Sequence, residues 1–215
     1  MFKFPLDFNT LEYLIARKWQ RTEVFRRGDF VKVRPKTPQA FRIPDSRIRN
    51  FLAKVRDAGN LRDTALVTLL AYTGMKLQEA LDLHTLDVDW KRAEVTVHAG
   101  DRKKERRVPL HEAALDALQA YQKRRHTDYP RASSYFFAGR GSYKLTYSTV
   151  NRLFKQHSKT ITPKTLRQWF QVDMLKRGAT VAEIVHLTGV DAQMVSGLVK
   201  RQADKLRKQV SARQL

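Results

Sequence analysis

The side chains in this sequence best equipped for chemistry are its cations. Arg167 sits on an otherwise apolar helical stretch with Leu166, Trp169 and Phe170, and Lys164 precedes it. Lys76 follows the helix-breaking pair Thr73-Gly74. Lys103 and Lys104 lie in GDRKKER, residues 100–106, the most positively charged short loop in the chain. A guanidinium fork makes two parallel bonds to a phosphate, and an ammonium supplies a compact point charge. Phosphate binding is the chemistry that Lys and Arg offer as a class, and with 42 of them in the chain their types alone do not single out these positions. Other chemistries are poorly supplied. The absence of cysteine excludes thiol catalysis, disulfides and thiolate zinc sites. Asp and His residues are dispersed without the spacing of a metal site, so no metal and no cofactor are expected. Ser196 has no histidine or carboxylate base beside it, and His186 reads as a surface or half-buried helix residue.

Charge points the same way. Lys and Arg total 42 against 21 Asp and Glu, a formal +21 with a pI near 10.5. A folded body carrying that charge attracts polyanions, and double-stranded DNA is the first choice of partner. A ribosome-associated or membrane-surface protein is the alternative that charge alone leaves open. No apolar run approaches the ~18 residues of a membrane helix. The opening Met1-Phe-Lys-Phe-Pro5 runs into Asp7, Asn9 and Glu12, unlike a signal peptide. The chain reads as cytoplasmic, nucleoid-associated and not bound to a membrane.

Helices dominate the elements that must carry these residues. Phe8, Leu11, Leu14 and Ile15 share a stripe on a helix over 7–19, and residues 21–43 form a Pro-containing basic arm with Arg34 and Lys36. Asp45 or Ser46 caps a helix ending near Gly59, and 61–72 reads as a buried central helix that Thr73-Gly74 breaks. A short helix restarts from Lys76. Two strands fit 94–98 and 106–110, where Val95, Val97 and Val108 alternate with polar neighbours. Asp101 and Glu105, flanking the lysines of the turn, read as charge partners of Arg102 and Arg106. A helix covers 111–124, Arg125 reads as a surface residue, and 127–145 is a loop with at most a short strand at 135–137. Helices over 146–157, from Thr162-Pro163 to Gly178, over 180–187 and over 192–209 complete the chain. Trp169 and Phe170 are expected in the core.

From about Pro44 to Lys200 the sequence resembles the tyrosine recombinases and phage integrases. TALVTLLAYTGMKLQEALDL (64–83) is similar to the family's first box, GDRKKERRVPL (100–110) to its lysine-bearing hairpin, ITPKTLRQWF (161–170) to its second box, and EIVHLTGVDAQMVSGLV (183–199) to its last. The resemblance implies a mostly α catalytic-domain fold with a small antiparallel β-sheet. It implies three segments: 1–43 as N-terminal helix and arm, 44–200 as the catalytic-fold domain, and 201–215 as a basic tail.

The resemblance also assigns positions. Lys76 stands where the first box carries Arg, and Glu79 keeps its acidic residue. Lys104, or less closely Lys103, matches the hairpin lysine. Lys164 replaces a histidine, Arg167 is retained, and Gln168 and Val190 replace two further histidines. Val199, nine residues after Val190, stands where the family has its nucleophilic tyrosine, and a valine side chain has no atom that can attack phosphorus. The implied outcome is a catalytically inactive protein, not an enzyme, whose Lys76, Lys103, Lys104, Lys164 and Arg167 still bind DNA phosphate, with Arg34 and Lys36 contributing from the arm. An active recombinase or nuclease with an unorthodox nucleophile, and a protein–protein accessory of an active recombinase, stay open beside it.

The helix over 146–158 offers Asn151, Arg152, Lys155 and Gln156 as candidates for base contacts, since Asn, Arg and Gln can make paired bonds to base edges. Self-association on DNA or an active recombinase partner is compatible with the basic tail. Mobile-element accessory, plasmid maintenance and transcriptional regulation would all look alike at this level.

Overall fold

The computed structural model describes residues 43–98, 105–129, 134–139 and 143–211, with no side-chain description for 202–211. The expected helix over 7–19, the arm with Arg34 and Lys36, and the turn with Lys103 and Lys104 lie outside the described residues. Everything below concerns the unit Gln39–Leu215.

The fold is mostly α-helical with one small antiparallel sheet. Helix α1, Asp45–Asp57, leads into α2, Leu61–Thr73. Asn60 caps α2 by accepting from the Asp63 amide, and Gly74 ends it in the left-handed region at φ 61°. Helix α2 is the centre of the core, with Leu66, Leu69 and Leu70 almost fully buried, and it packs against α1, α4 and α6. Its even spread of apolar residues fits an element covered on several sides.

After the one-turn helix α3, Leu77–Leu81, a 3₁₀ turn at Thr85–Asp87 leads to the sheet. Strands β1 (Val88–Asp89), β2 (Glu94–His98) and β3 (Glu105–Pro109) run antiparallel in that order, with Val95 opposite Val108 and His98 opposite Glu105. Val95, Val97 and Val108 face the core as their alternation requires. Strand β1 pairs over two residues only, too short for a hydrophobic pattern to announce it.

Helix α4 runs over Glu112–Asp128, a turn beyond the expected end. Arg125 lies on that last turn and is buried, not on the surface: its guanidinium donates to the carbonyls of Phe136 and Tyr135 at 3.0 and 2.6 Å. The segment read as a loop is therefore part of the core. Phe136 and Phe137 are fully buried against Tyr121, whose hydroxyl accepts from the Ala138 amide. Isolated bridges at Tyr135 and Ala138 take the place of the expected strand. Helices α5 (Tyr147–His157), α6 (Pro163–Lys176), α7 (Val181–Thr188) and α8 (Ala192–Ser211) follow. Helix α8 continues through residues assigned to the basic tail. Trp169 is buried in α6 and donates its indole N–H to Asp45 at 2.9 Å, tying α6 to the start of α1.

Candidate nucleic-acid interface

Helix α6 is positioned from its first turn. The Thr162 hydroxyl accepts from the Thr165 amide at 3.2 Å, and Pro163 stands where a missing N–H costs nothing. This start leaves Lys164 exposed and places Arg167 one turn further in, half-buried. The Arg167 Nη1 donates to the carbonyl of Gly74 at 2.7 Å. Gly74 is required twice: its φ is positive, and a Cβ there would drive into the Phe170 ring of α6. The pair Thr73-Gly74, legible only as a helix break, is also the seat of Arg167 and Phe170.

Glu79 organises the opposite side. Its carboxylate accepts from the Lys76 amide at 2.7 Å, closing the start of α3, while the Lys76 side chain is exposed. Arg106 of β3 donates to both Glu79 oxygens, at 3.0 and 2.6 Å, and its Nε donates to the Leu187 carbonyl at the end of α7. Gly189 lies against this guanidinium; a Cβ there would sit 3.0 Å from Arg106 Nη1, and its φ is +62°. One arginine therefore links β3, α3 and the turn that precedes Val190.

The expected partner of Arg106, Glu105, is elsewhere. Adjacent strand residues point to opposite faces, so Glu105 meets His98 at 3.0 Å and Arg106 turns inward with Val108. His98 also reaches Asp87 at 2.9 Å. The signal for Arg106 was present in the sequence: it stands two residues before the core residue Val108 and so shares its face.

Arg167 is electrostatically unusual. Burial pulls its pKa below the ordinary arginine value, Glu79 pushes it back up, and Arg106 pushes it down. The nearby carboxylate is engaged by Arg106, and no carboxylate pairs with Arg167 among the described residues. A guanidinium stays protonated regardless.

The other assigned positions are less concentrated. Gln168 is exposed, while Val190 and Val199 are half-buried, Val199 lying beside the buried Leu198 on α8. On α5, Val150, Leu153 and Phe154 face the core, leaving Arg152, Lys155 and Gln156 exposed and Asn151 half-buried. His186 is exposed. Among the described residues no group of three or more His, Asp or Glu could hold a metal ion, and no helix is long and apolar enough to cross a membrane.

Comparison with known proteins places this geometry in a family. Residues 42–196 match the phage integrase family. The chain belongs to that family. This phage integrase homologue is 33% identical over 180 residues to TnP I resolvase of Bacillus thuringiensis, covering 83% of the chain and 63% of that protein. It is 30% identical over 145 residues to tyrosine recombinase XerA of Pyrococcus furiosus, covering 64% of the chain and 49% of that protein. The chain spans about half to just under two thirds of the length of such relatives. Its fold is that of tyrosine-recombinase catalytic domains. A crystal structure of XerA recombinase superposes with a TM-score of 0.68 at 22% identity, over 83% of this chain and 68% of that one. The Tn1549 transposon integrase bound to a circular intermediate DNA superposes at 0.64 with 18% identity, over 92% and 76%.

These relatives correct one expectation. The sequence reading that the chain is not an enzyme does not stand: its homologues are named tyrosine recombinases, which are enzymes, and nothing shows this chain to be inactive. The family match ends at residue 196, before Val199.

Proposed function

We propose that this phage integrase homologue binds double-stranded DNA through a phosphate site centred on Arg167 and serves DNA recombination as an accessory, architectural or regulatory factor. The observation that carries the reading is the half-buried Arg167 guanidinium, held by the Gly74 carbonyl and forming no ion pair with a carboxylate among the described residues. A cation partly removed from water needs a compensating anion, and a phosphodiester matches the planar fork. Lys76 and Lys164, both exposed, flank it as point charges, and Lys103 or Lys104 is assigned to the same phosphate from the hairpin turn. Arg34 and Lys36 are assigned backbone contacts from the arm. Asn151, Arg152, Lys155 and Gln156 on α5 are assigned to the groove face. The net charge of +21 supports the same partner. Structures of XerH recombinase bound to its difH substrate and of the Tn1549 integrase with DNA are consistent with it.

A second reading is favoured by the enzymatic relatives: strand cleavage by this chain with an attacking group other than the residue at 199. Gln168 and Val190 at two histidine positions leave Lys164, Arg167 and the hairpin lysine to hold and protonate oxygens. The two readings part in one experiment. Duplex binding measured by anisotropy tests the first, and incubation with a nicked suicide duplex followed by denaturing electrophoresis tests the second. Saturable binding without an adduct supports the accessory role. A covalent protein–DNA band establishes the second reading.

A further inference from the structure

We propose that the groove between α1 and the C-terminal end of α5 is a second phosphate-contacting surface, which carries the backbone of the same duplex beyond the Arg167 centre. It rests on the DNA-binding reading above, gives a role to Arg47, Lys54 and Lys159, which the sequence left without one, and changes that of Lys155 and Gln156.

The groove has a volume of about 750 Å³. Arg47, Asn50 and Lys54 of α1 form one wall, and Lys155 with Lys159 form the other. The α1 residues recur at three and four positions, so they share one helical face. The adjacent face, Ile48, Phe51 and Val55, about 100° round the helix, is buried in the core and fixes how the polar face is presented, with Phe51 also reaching the groove. Asp57 is the single carboxylate among the lining residues, against the four cations Arg47, Lys54, Lys155 and Lys159.

Those four cations have no hydrogen-bond or ion-pair partner among the described residues. Several cations elsewhere in the fold do have one: Arg62 pairs with Asp63, Arg124 with Asp128, Lys144 with Asp82, Lys176 with Asp45 and Arg177 with Asp173. Others, such as the side chains of Lys91 and Lys123, stand alone as the groove cations do, but away from the groove. Asp57 itself is engaged by Arg56 at 3.5 Å. Four cations without carboxylate partners thus line one concave surface, and a concave surface of one sign focuses its field on a polyanion.

Its position fits a duplex rather than a separate small anion. Ile161, on the groove, precedes Lys164 by three residues. Consecutive Cα atoms are ~3.8 Å apart, so the two lie within about 11 Å. Phosphates on one strand advance ~3.4 Å along the DNA axis. A strand whose phosphate lies at Lys164 thus reaches the groove within about three phosphates. On this placement Lys155 and Gln156 hold backbone, and the base-reading role on α5 narrows to Asn151 and Arg152.

The test is salt-dependent anisotropy of the full chain on a duplex of about three helical turns. Each phosphate contact contributes ~0.9 to the slope of log affinity against log salt. The triple variant Arg47→Ala, Lys54→Ala, Lys159→Ala is expected to lower that slope by about 2–3 on any sequence. A control triple, Lys91→Ala, Arg92→Ala, Lys123→Ala, removes the same charge from other surfaces and is expected to change it by less than about one. All six positions are exposed, and a thermal melt verifies that both variants fold. Equal slope changes in the two triples, or none in the groove triple, overturn the groove assignment. If Arg167→Ala still weakens binding in that case, the DNA-binding reading survives. Absence of salt-dependent duplex binding by the unmodified chain removes that reading and the groove together.

Discussion

Arg106 grips Glu79 with both terminal nitrogens, at 3.0 and 2.6 Å, and each side chain is only about 10% exposed. The pair spans 27 positions of sequence and joins strand β3 to the start of α3. Its effect on the site is indirect. Glu79 is held by Arg106 and by the Lys76 amide, and among the described residues it forms no ion pair with the neighbouring Arg167.

Breaking this pair should be costly. Removing one partner of a largely buried ion pair leaves an uncompensated charge, at about 3–5 kcal/mol. Arg106→Ala is expected to lose stability in that range in urea unfolding, with Glu79→Ala similar and the double variant well short of their sum. A loss below about 1 kcal/mol, typical of an exposed pair, would contradict the arrangement.

Two glycines separate backbone strain from steric overlap. Gly59 and Gly74 both have positive φ, at 76° and 61°, but a Cβ at Gly59 meets nothing within 4 Å, whereas one at Gly74 strikes Phe170. Gly59→Ala should cost about 1 kcal/mol. Gly74→Ala should cost at least 1–2 kcal/mol more, because α6 must shift, and it should weaken DNA binding by moving the seat of Arg167. Equal melting temperatures for the two variants would show that α6 does not bear on Gly74.

His98 gives the turn end of the β2–β3 hairpin a pH dependence. Its hydrogen bond to Asp87 raises its pKa above the ordinary 6.5, burial opposes this, and Glu105 adds to the rise. Because the folded value is the higher one, the stabilisation is complete below about pH 6.5 and is lost as pH climbs through the folded pKa. Between about pH 6 and about pH 8 the melting temperature should fall more in the native chain than in His98→Gln. Parallel profiles would mean that the imidazolium contributes nothing at this site.

Much of this was legible beforehand because periodicity reports burial directly. The alternation Val95, Val97, Val108 located the two longer strands, Leu66, Leu69 and Leu70 marked the central helix, and Thr162-Pro163 marked the start of α6. The segment around Phe136 was hidden because its order comes from tertiary partners. Arg125 satisfies its carbonyls from a helix that periodicity ended too early. Arg106 was assigned to its neighbour Glu105 by sequence proximity, whereas strand geometry sends the two to opposite faces. The carbonyl that seats Arg167 belongs to a glycine 93 positions away, and backbone groups leave no trace in residue types.

The central claim is that Arg167 holds a DNA phosphate, and duplex titration of Arg167→Ala against Arg124→Ala tests it most directly. Arg124 is an exposed residue paired with Asp128, so its loss removes the same charge from a screened surface. Arg167→Ala is expected to weaken binding by about 1–2 kcal/mol, roughly 5- to 30-fold. Arg124→Ala should leave it nearly unchanged, with both variants folded by thermal melt. Equal affinities for the two variants would contradict the claim.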